Sequence, residues 1–242
     1  MKKTAVVTGA SRGIGKAIAH RLAKDGYDLI LICRSKKELL EKSATFYQQT
    51  YGTKSYCFAG NVGDEGFWRM LRSNLDEVLP FVEVVVNNAG ISYVGLLNDM
   101  TPSQWQEIIN VNLSALFYSA KVFSPEMIRQ KRGHIINITS MWGQRGASCE
   151  VAYSASKGGV DAFTKALAKE LAPSNVYVNA ISCGVMDTDM MNVFSEEEKE
   201  DLADEIPFGR FGNPKEVATL ISSLLSNTYI TGQIIGLDGG YF

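Results

Sequence analysis

The fold is decided by the stretch Thr8-Gly9-Ala10-Ser11-Arg12-Gly13-Ile14-Gly15. An apolar run, 5–7, precedes this stretch, and Ile14, Ile18 and Leu22 continue it at helical spacing. The pattern predicts a strand, a tight glycine turn and a helix N-terminus in direct succession. Glycines let a backbone approach a ligand closely, and the first turn of a helix offers unpaired N–H groups to a phosphate. The stretch therefore predicts a dinucleotide site, although a glycine turn also occurs in proteins that bind no ligand.

The length of the chain indicates one domain around this turn. Its 242 residues, of which 45% are hydrophobic, are enough to bury one sizeable α/β core. We expect a single dinucleotide-binding and catalytic domain over residues 1–242. The segment 188–206, rich in methionine and acidic residues, is expected to leave the sheet as a substrate lid, with a solvated helical flap as the alternative.

Charge and cysteine patterns exclude several classes of protein. The formal net charge is −2 and the basic residues form no long run, so neither nucleic acid nor a membrane is an expected partner. No run approaches the ~18 apolar residues of a membrane span, and the N-terminal apolar stretch is too short for an export signal. Since the cysteines lack the spacing of metal or disulfide sites, we expect no metal and a reducing, cytoplasmic setting. They are Cys33, Cys57, Cys149 and Cys183.

Apolar, strand-like runs recur along the chain, with longer helical patterns between them. Several runs are continuously apolar, which is typical of a parallel sheet that is covered on both faces. Strands are predicted at 4–8, 28–33, 54–59, 82–87, 133–139, 176–181 and 233–237. Helices are predicted at 13–25, 36–50, 64–79, 102–131, 151–172 and 214–226. These patterns predict an α/β fold, a single-domain Rossmann-type doubly wound sheet of about seven parallel strands with helices on both faces.

Tyr153 and Lys157 form the clearest candidate for catalytic chemistry. On a helix, residues four apart share one face, which brings the ammonium near the phenol. A nearby cation favours the phenolate, and each unit by which a tyrosine pKa falls below about 10 corresponds to about 1.36 kcal/mol. Tyr153 could then exchange a proton with a substrate oxygen near neutral pH. The same spacing is also common on helix surfaces, so the interpretation depends on further residues.

Those further residues make the chain resemble the classical short-chain dehydrogenase/reductase family, from Thr4 to Gly240. Five motifs stand in the order and spacing of that family. They are the glycine turn Thr8 to Gly15, the segment Asn87-Asn88-Ala89-Gly90, the helix asparagine Asn112, the active-site serine Ser140, and Tyr153 with Lys157. Ser140 also follows the apolar run 135–139, which places it at the carboxyl end of a strand, where open α/β sheets bind ligands.

The resemblance implies a role for each residue of the catalytic set. Tyr153 would be the general acid in reduction, and Ser140 would hydrogen-bond the substrate carbonyl. Lys157 would bind the nicotinamide ribose and lower the pKa of Tyr153, while Asn112 would hold a water that passes protons to Lys157. The protein would position the hydride donor against the carbonyl, and the cofactor would perform the hard chemistry.

The residues at the end of the second strand predict whether the cofactor is NAD or NADP(H). An NAD site usually has an acidic residue there, whereas this chain has Cys33-Arg34. Arg34 and Arg12 could reach a 2′-phosphate through charge-assisted hydrogen bonds, which predicts NADP(H); two solvent-facing arginines are the alternative. The predicted cofactor-binding residues are Gly9, Ser11, Arg12, Gly13, Ile14, Gly15, Arg34, Asn61, Val62, Asn88, Ala89, Gly90, Tyr153, Lys157, Gly184 and Thr188.

Two positions depart from the family pattern. Asn61 stands where the family more often has aspartate near the adenine ring, and an amide can still bond that ring. Cys183 replaces the proline that normally precedes Gly184 after the sixth strand, with Thr188 implied to meet the nicotinamide carboxamide. This second departure puts the rigidity of the cofactor loop in doubt and predicts a thiol near the ligand.

Two stretches, 206–217 and 231–240, are similar to bacterial 3-oxoacyl-[acyl-carrier-protein] reductases but are shared with many relatives. They favour a carrier-linked acyl substrate only modestly over free carbonyls, polyols or sugars. An acyl carrier protein is acidic and would need a basic face, for which Arg129, Lys131 and Arg132 are candidates. The predicted substrate-binding residues are Ser140, Trp142, Gln144, Cys149, Tyr153, Met186 and Met190.

The predicted activity is therefore NADPH-dependent reduction of a ketone, with a 3-oxoacyl thioester as the favoured substrate. The alternatives are an NAD(P)-dependent dehydrogenase of a small alcohol, polyol or sugar, a non-catalytic NADP(H) sensor, and a methyltransferase on a similar sheet. A sensor would be indicated by a broken catalytic set, and here the set is intact. The resemblance implies a homotetramer whose interfaces are the helices 102–131 and 151–172 and the C-terminal segment, and a dimer stays open.

Overall fold

A parallel sheet forms the centre of the computed structural model, which describes residues 3–76, 81–189, 191 and 195–242. Within these residues seven strands pair in the order β3-β2-β1-β4-β5-β6-β7, every pair parallel. The strands are β1 (Thr4–Thr8), β2 (Asp28–Cys33), β3 (Ser55–Ala59), β4 (Val84–Asn87), β5 (Gly133–Ser140), β6 (Val176–Cys183) and β7 (Ile234–Leu237). The predicted Rossmann-type doubly wound fold is confirmed, since this strand order is the one typical of that architecture.

Helices cover both faces of the sheet. Buried residues of α1, α2 and α9 form one apolar cluster, and buried residues of α3, α5 and α7 form a second on the opposite face. The helices of the described residues are α1 (Gly13–Lys24), α2 (Lys37–Tyr51), α3 (Glu65–Asp76), α4 (Pro102–Ile109), α5 (Ala115–Gln130), α6 (Trp142–Arg145), α7 (Val151–Leu171), α8 (Glu196–Asp204) and α9 (Pro214–Leu225). None of them is long and apolar enough to cross a membrane.

The strand order indicates at which edge of the sheet a ligand is expected to bind. The chain runs outward from β1 through β2 to β3 and then returns to β4 on the other side of β1, so the order reverses between β1 and β4. Ligands of open α/β sheets bind beyond the carboxyl ends of the strands at such a reversal. The turn Thr8 to Gly15 follows β1, and Asn88 to Gly90 follow β4, so both predicted cofactor segments lie at that point.

The predicted helix 102–131 is wrong in one respect, because it is not continuous. A wide π-helical turn, Asn110–Ser114, separates α4 from α5. Asn112 lies in that turn and its side chain bonds the backbone of Ile91, outside the helix. An apolar pattern reports the exposed and buried faces of a helix but not one additional residue in a turn, which is why the sequence predicted an unbroken helix.

Two short α-helices of the described residues lie outside the six predicted helix ranges. The first is α6, just after β5, and the second is α8, inside the predicted lid 188–206. A capping box opens α8, in which the Ser195 hydroxyl accepts from Glu198 N at 3.2 Å. Every residue of α8 is at least partly exposed, which is the arrangement expected of a solvated helical flap. The lid and the single catalytic domain stay predictions, and residues 190 and 192–194 of the lid lie outside the described residues, as do 77–80 of the predicted helix 64–79.

Candidate active site

The glycine turn after β1 is packed too closely for side chains. A Cβ on Gly15 would lie 2.2 Å from Gly9 O and 2.5 Å from Asn88 Nδ2, and Gly9 has a φ of +67°. Gly13, with a φ of +52°, has Thr188 Cγ2 3.4 Å from where its Cβ would be. The turn therefore presents bare backbone at the N-terminus of α1, which is the geometry that a pyrophosphate requires.

Hydrogen bonds fix this turn to the segment after β4. Thr8 Oγ1 accepts from Asn88 N and from Ala89 N, both at 2.9 Å. Asn88 Nδ2 donates to Thr8 O at 3.0 Å and to Gly9 O at 3.3 Å. Two loops that are far apart in sequence thus form one rigid floor at the strand reversal. Preorganised backbone of this kind lowers the ordering cost of binding a ligand.

Ser140, Tyr153 and Lys157 meet at the carboxyl edge of β5. Ser140 ends β5, while Tyr153 and Lys157 lie on α7, which packs across β5 and β6. Lys157 is buried, and its Nζ donates to Ile138 O at 2.9 Å and lies 5.5 Å from the centre of the Tyr153 ring. A Cβ on Gly90 would lie 3.6 Å from Lys157 Nζ, so the segment after β4 reaches the same place.

Burial governs the protonation states in this cluster. It raises the pKa of Tyr153, and a hydrogen bond with Ser140 is the interaction that lowers it. It also lowers the pKa of Lys157 to about 8. Ser140, rather than Lys157, is therefore the neighbour that favours the phenolate in this structure. Tyr153 carries its proton at neutral pH, which suits a proton donor.

Asn112 is held entirely by protein groups. Its Nδ2 donates to Ile91 O at 2.9 Å and to Ser156 Oγ at 3.0 Å, and its Oδ1 accepts from Ile91 N at 2.9 Å. Both amide hydrogens are thus used, and the amide oxygen keeps one lone pair for the water that the resemblance implies. A Cβ on Gly90 would lie 3.4 Å from Asn112 Oδ1, so Asn112 lies on the Lys157 side of the site.

The thiol of Cys183 lies beside the catalytic residues. In the register of the sheet Cys183 pairs with Ser140 on the neighbouring strand, and Cys183 O accepts from Met141 N at 3.1 Å. Burial raises the pKa of the thiol to about 12, and Lys157 is the group that lowers it. The thiol is therefore protonated at neutral pH and a weak nucleophile. The next residue, Gly184, has no room for a side chain, because a Cβ there would lie 2.7 Å from Asp238 Cα.

Arg12 and Arg34 are both available to a phosphate. Arg12 Nη1 lies 3.8 Å from Asp189 Oδ2, and Arg34 Nη2 lies 3.9 Å from Glu107 Oε1, with each guanidinium side chain about 60% exposed. Exposed ion pairs at these distances contribute little, so either arginine can exchange its carboxylate for a ligand. The predicted adenine contact is partly engaged, since Asn61 Oδ1 accepts from Gly63 N at 3.1 Å.

The predicted substrate-binding residues are scattered around this edge. Trp142 and Gln144 lie on α6, where Trp142 N donates to Ser140 Oγ at 3.3 Å. Cys149 has a φ of +63° and its O accepts from Gly95 N at 2.8 Å. Met186 is buried in the apolar core, with its sulfur 2.6 Å from where a Cβ on Gly212 would lie. Met190 lies outside the described residues.

One titratable group of the site was not predicted. Glu150, three residues before Tyr153, is partly buried; burial raises its pKa, and a hydrogen bond with Ser92 lowers it. Its charge also bears on Tyr153, whose pKa it raises. Glu150 is the only acidic residue between Gly133 and Val160, and that isolated charge was the available signal.

Comparison with known proteins finds relatives of this chain among oxidoreductases. The model of the family described as short chain dehydrogenase matches residues 3–199. The chain is 41% identical over 243 residues to an uncharacterized oxidoreductase, YmfI, of Bacillus subtilis, covering 100% of this chain and 99% of that protein. It is 39% identical over 242 residues to the 3-oxoacyl-[acyl-carrier-protein] reductase FabG of Aquifex aeolicus, covering 99% and 97%. Among solved structures, YwfH, an NADPH dependent reductase involved in bacilysin biosynthesis, superposes with a TM-score of 0.94 at 26% identity, covering 100% and 99%.

Proposed function

The chain belongs to the short chain dehydrogenase family, and from this premise we propose that it reduces the ketone of 3-oxoacyl thioesters. It is an oxidoreductase and its cofactor is NADP(H). The observation that carries the proposal is the meeting of Ser140, Tyr153 and Lys157 beside the bare glycine turn. FabG proteins of two further bacterial species, 36–37% identical over the full chain, support the thioester as substrate.

The residues of the site fit a nicotinamide dinucleotide. The clash that a Cβ would meet at Gly15 shows that the turn lies directly against the start of α1. One exposed arginine, Arg12, lies within the turn, and the other, Arg34, follows β2, whose Ile32 O accepts from Ala10 N of the turn at 3.0 Å. When bound, the cofactor supplies the hydride. Gly9 to Gly15 would hold the pyrophosphate, Arg12 and Arg34 the 2′-phosphate, and Lys157 the nicotinamide ribose.

Each catalytic residue then has one task. The Ser140 hydroxyl binds the carbonyl oxygen and orients the ketone. Tyr153 donates its phenolic proton to that oxygen as negative charge develops, and the raised pKa keeps the proton in place until then. Lys157 would bind the nicotinamide ribose, and the hydrogen bond with Ser140 stabilises the phenolate that remains. Asn112 would hold the water through which the proton is replaced.

Assembly and carrier docking belong to the same proposal. Apolar side chains stay exposed on the helices that the resemblance assigns to interfaces, among them Phe117 at 52% and Val151 at 44%. Such a surface supports a homotetramer built on α5 and α7. The basic face for an acyl carrier protein is weaker than the sequence indicates, because Arg129 pairs with Glu126 and Arg132 with Glu83.

A substrate panel tests the proposed activity. We expect NADPH oxidation with 3-oxoacyl thioesters at a kcat/KM at least ~10-fold above that for free diketones or ketosugars, because remote binding of the acyl carrier raises transition-state affinity. Initial rates at 340 nm with NADPH and NADH measure this. Faster oxidation of a polyol or sugar with NADP⁺ or NAD⁺, followed as absorbance gained at 340 nm, would replace the proposal with a dehydrogenase. NADPH binding without turnover of any member would replace it with a sensor.

Arg34→Asp is expected to shift the cofactor preference toward NADH. The change removes a charge-assisted contact of about 1.5–3 kcal/mol to the 2′-phosphate and places a repelling carboxylate there, while NADH gains a ribose acceptor. The NADPH/NADH ratio of kcat/KM should fall at least ~10-fold. Arg69→Asp, an exposed arginine of α3, is the matched control and should leave the ratio unchanged. Equal ratios in the Arg34 variant and the unmodified protein would remove Arg34 from the phosphate site.

A further inference from the structure

The buried face of α7 carries a second charged residue, Asp161, beyond Lys157. Asp161 is 6% exposed and lies four residues after Lys157, on the same face of the helix. Within the described part of the chain neither of its carboxylate oxygens makes a well-directed hydrogen bond. A buried carboxyl without such partners is costly, so a role is expected for it.

The Asp161 carboxyl lies close to the helical turn that contains Lys157. Side chains on a helix lean toward its N-terminus, so the Asp161 carboxyl lies over the turn that carries Lys157. Thr139, at the end of β5, donates its hydroxyl to Lys157 O at 3.2 Å and so joins the strand to that turn. Burial raises the pKa of Asp161, whereas Thr139, Lys165 and Lys157 lower it and thereby favour the carboxylate.

Lys157, in turn, forms no ion pair with any carboxylate in the part of the chain that the structure describes. Its ammonium is buried and donates a hydrogen bond to a neutral carbonyl oxygen, Ile138 O. The titratable groups that act on Lys157 or contact it are Tyr153 and Asp161 from α7 and Cys183 from β6. Burial keeps the phenol and the thiol protonated at neutral pH, so neither supplies a negative charge. Among the described residues Asp161 is therefore the acid left to supply one: burial raises its pKa, while Lys157 favours its carboxylate and Asp161 favours the ammonium of Lys157.

We propose that Asp161 is a positioning residue that acts through Lys157: its carboxylate supplies the negative charge that keeps the buried ammonium protonated. Asp161 does not touch the reacting atoms. Its effect on turnover rests on the proposed role of Lys157, but its effect on the charge of Lys157 does not. Loss of the carboxylate leaves a buried cation uncompensated, which shifts that cation toward its neutral form.

The variant Asp161→Asn isolates the charge, since an amide has the shape of a protonated carboxyl. The pH titration of Lys157 is followed without substrate, by NMR of lysine labelled with ¹³C at Cε, because the buried amine is not open to a labelling reagent. We expect the midpoint, about 8 in the unmodified protein, to fall by ~0.5 pH unit or more in Asp161→Asn and to be restored in Asp161→Glu. Glu170→Gln removes an exposed carboxylate from the same helix and should leave the midpoint unchanged.

The outcomes separate this inference from the proposed function. An unchanged midpoint in Asp161→Asn would show that the carboxyl is already neutral and overturns the inference. If that variant does not fold, the carboxyl signal of Asp161 in the unmodified protein, followed by ¹³C NMR, decides instead: a protonated carboxyl at pH 7 overturns the inference, and an ionised one supports it. A lowered midpoint without a parallel shift in the pH profile of kcat/KM supports the inference and contradicts the catalytic role of Lys157.

Discussion

Replacing Tyr153 by phenylalanine is expected to lower kcat by about 10²–10⁴-fold while leaving the Kd for NADPH nearly unchanged. The phenolic proton is needed mainly in the transition state, so its loss affects turnover more than binding. The ring of Tyr153 stays in place in the variant, which preserves its packing beside Lys157. Stopped-flow hydride transfer and fluorescence titration with NADPH measure the two quantities separately.

The control for this experiment is Tyr229→Phe, which removes a hydroxyl from a side chain that is 98% exposed. It should leave both kcat and the NADPH Kd unchanged. A Tyr153→Phe variant that keeps more than about a tenth of the kcat would contradict the assignment, since a positioned acid contributes about 10²-fold or more.

Gly15→Ala is expected to cost about 1–3 kcal/mol of unfolding free energy and to weaken NADPH binding at least ~10-fold. The new Cβ would lie 2.2 Å from Gly9 O, and backbone cannot turn aside as a flexible side chain can. The N-terminus of α1 must therefore move away from the turn, which separates its N–H groups from the phosphates. Chemical denaturation and isothermal titration with NADPH provide the measurements.

Gly66→Ala is the matched control, because Gly66 lies in the first turn of α3 and a Cβ there would meet only the Asp64 carboxylate, at 3.3 Å. This variant should be at least as stable as the unmodified protein, since alanine favours helix. If Gly15→Ala behaves like Gly66→Ala in both measurements, the tight turn is not what positions the cofactor.

The sheet was predictable because its five inner strands are almost entirely buried, whereas the edge strands β3 and β7 are partly exposed. Runs such as Leu29 to Ile32 and Val84 to Val86 are uninterrupted by polar residues, and the strand bounds agree with the sequence within two residues. The short helices were not predictable in this way. With four residues, α6 is too short for an apolar period to develop, and the exposed α8 has no buried face to reveal.

Motif and spacing predicted which residues meet at the site, but not their charge states. A spacing of four residues places Tyr153 and Lys157 on one face and indicates an attraction between them. The pKa of each depends instead on how much water the fold removes, which burial decides. Asp161 escaped attention for a related reason, since a carboxylate on a helix is ordinarily solvated and only the fold shows that this one is buried.

The π-helical turn Asn110–Ser114 constrains the number of residues between α4 and α5 as well as their identity. Deleting one residue from it would rewind the segment as regular α-helix, in which the remaining residues of the turn take new directions around the helix axis. Asn112 would then lose its two hydrogen bonds to the backbone of Ile91, although the sequence would still contain all five motifs. Across descendants of this gene, substitutions in the turn should therefore be tolerated far more often than insertions or deletions.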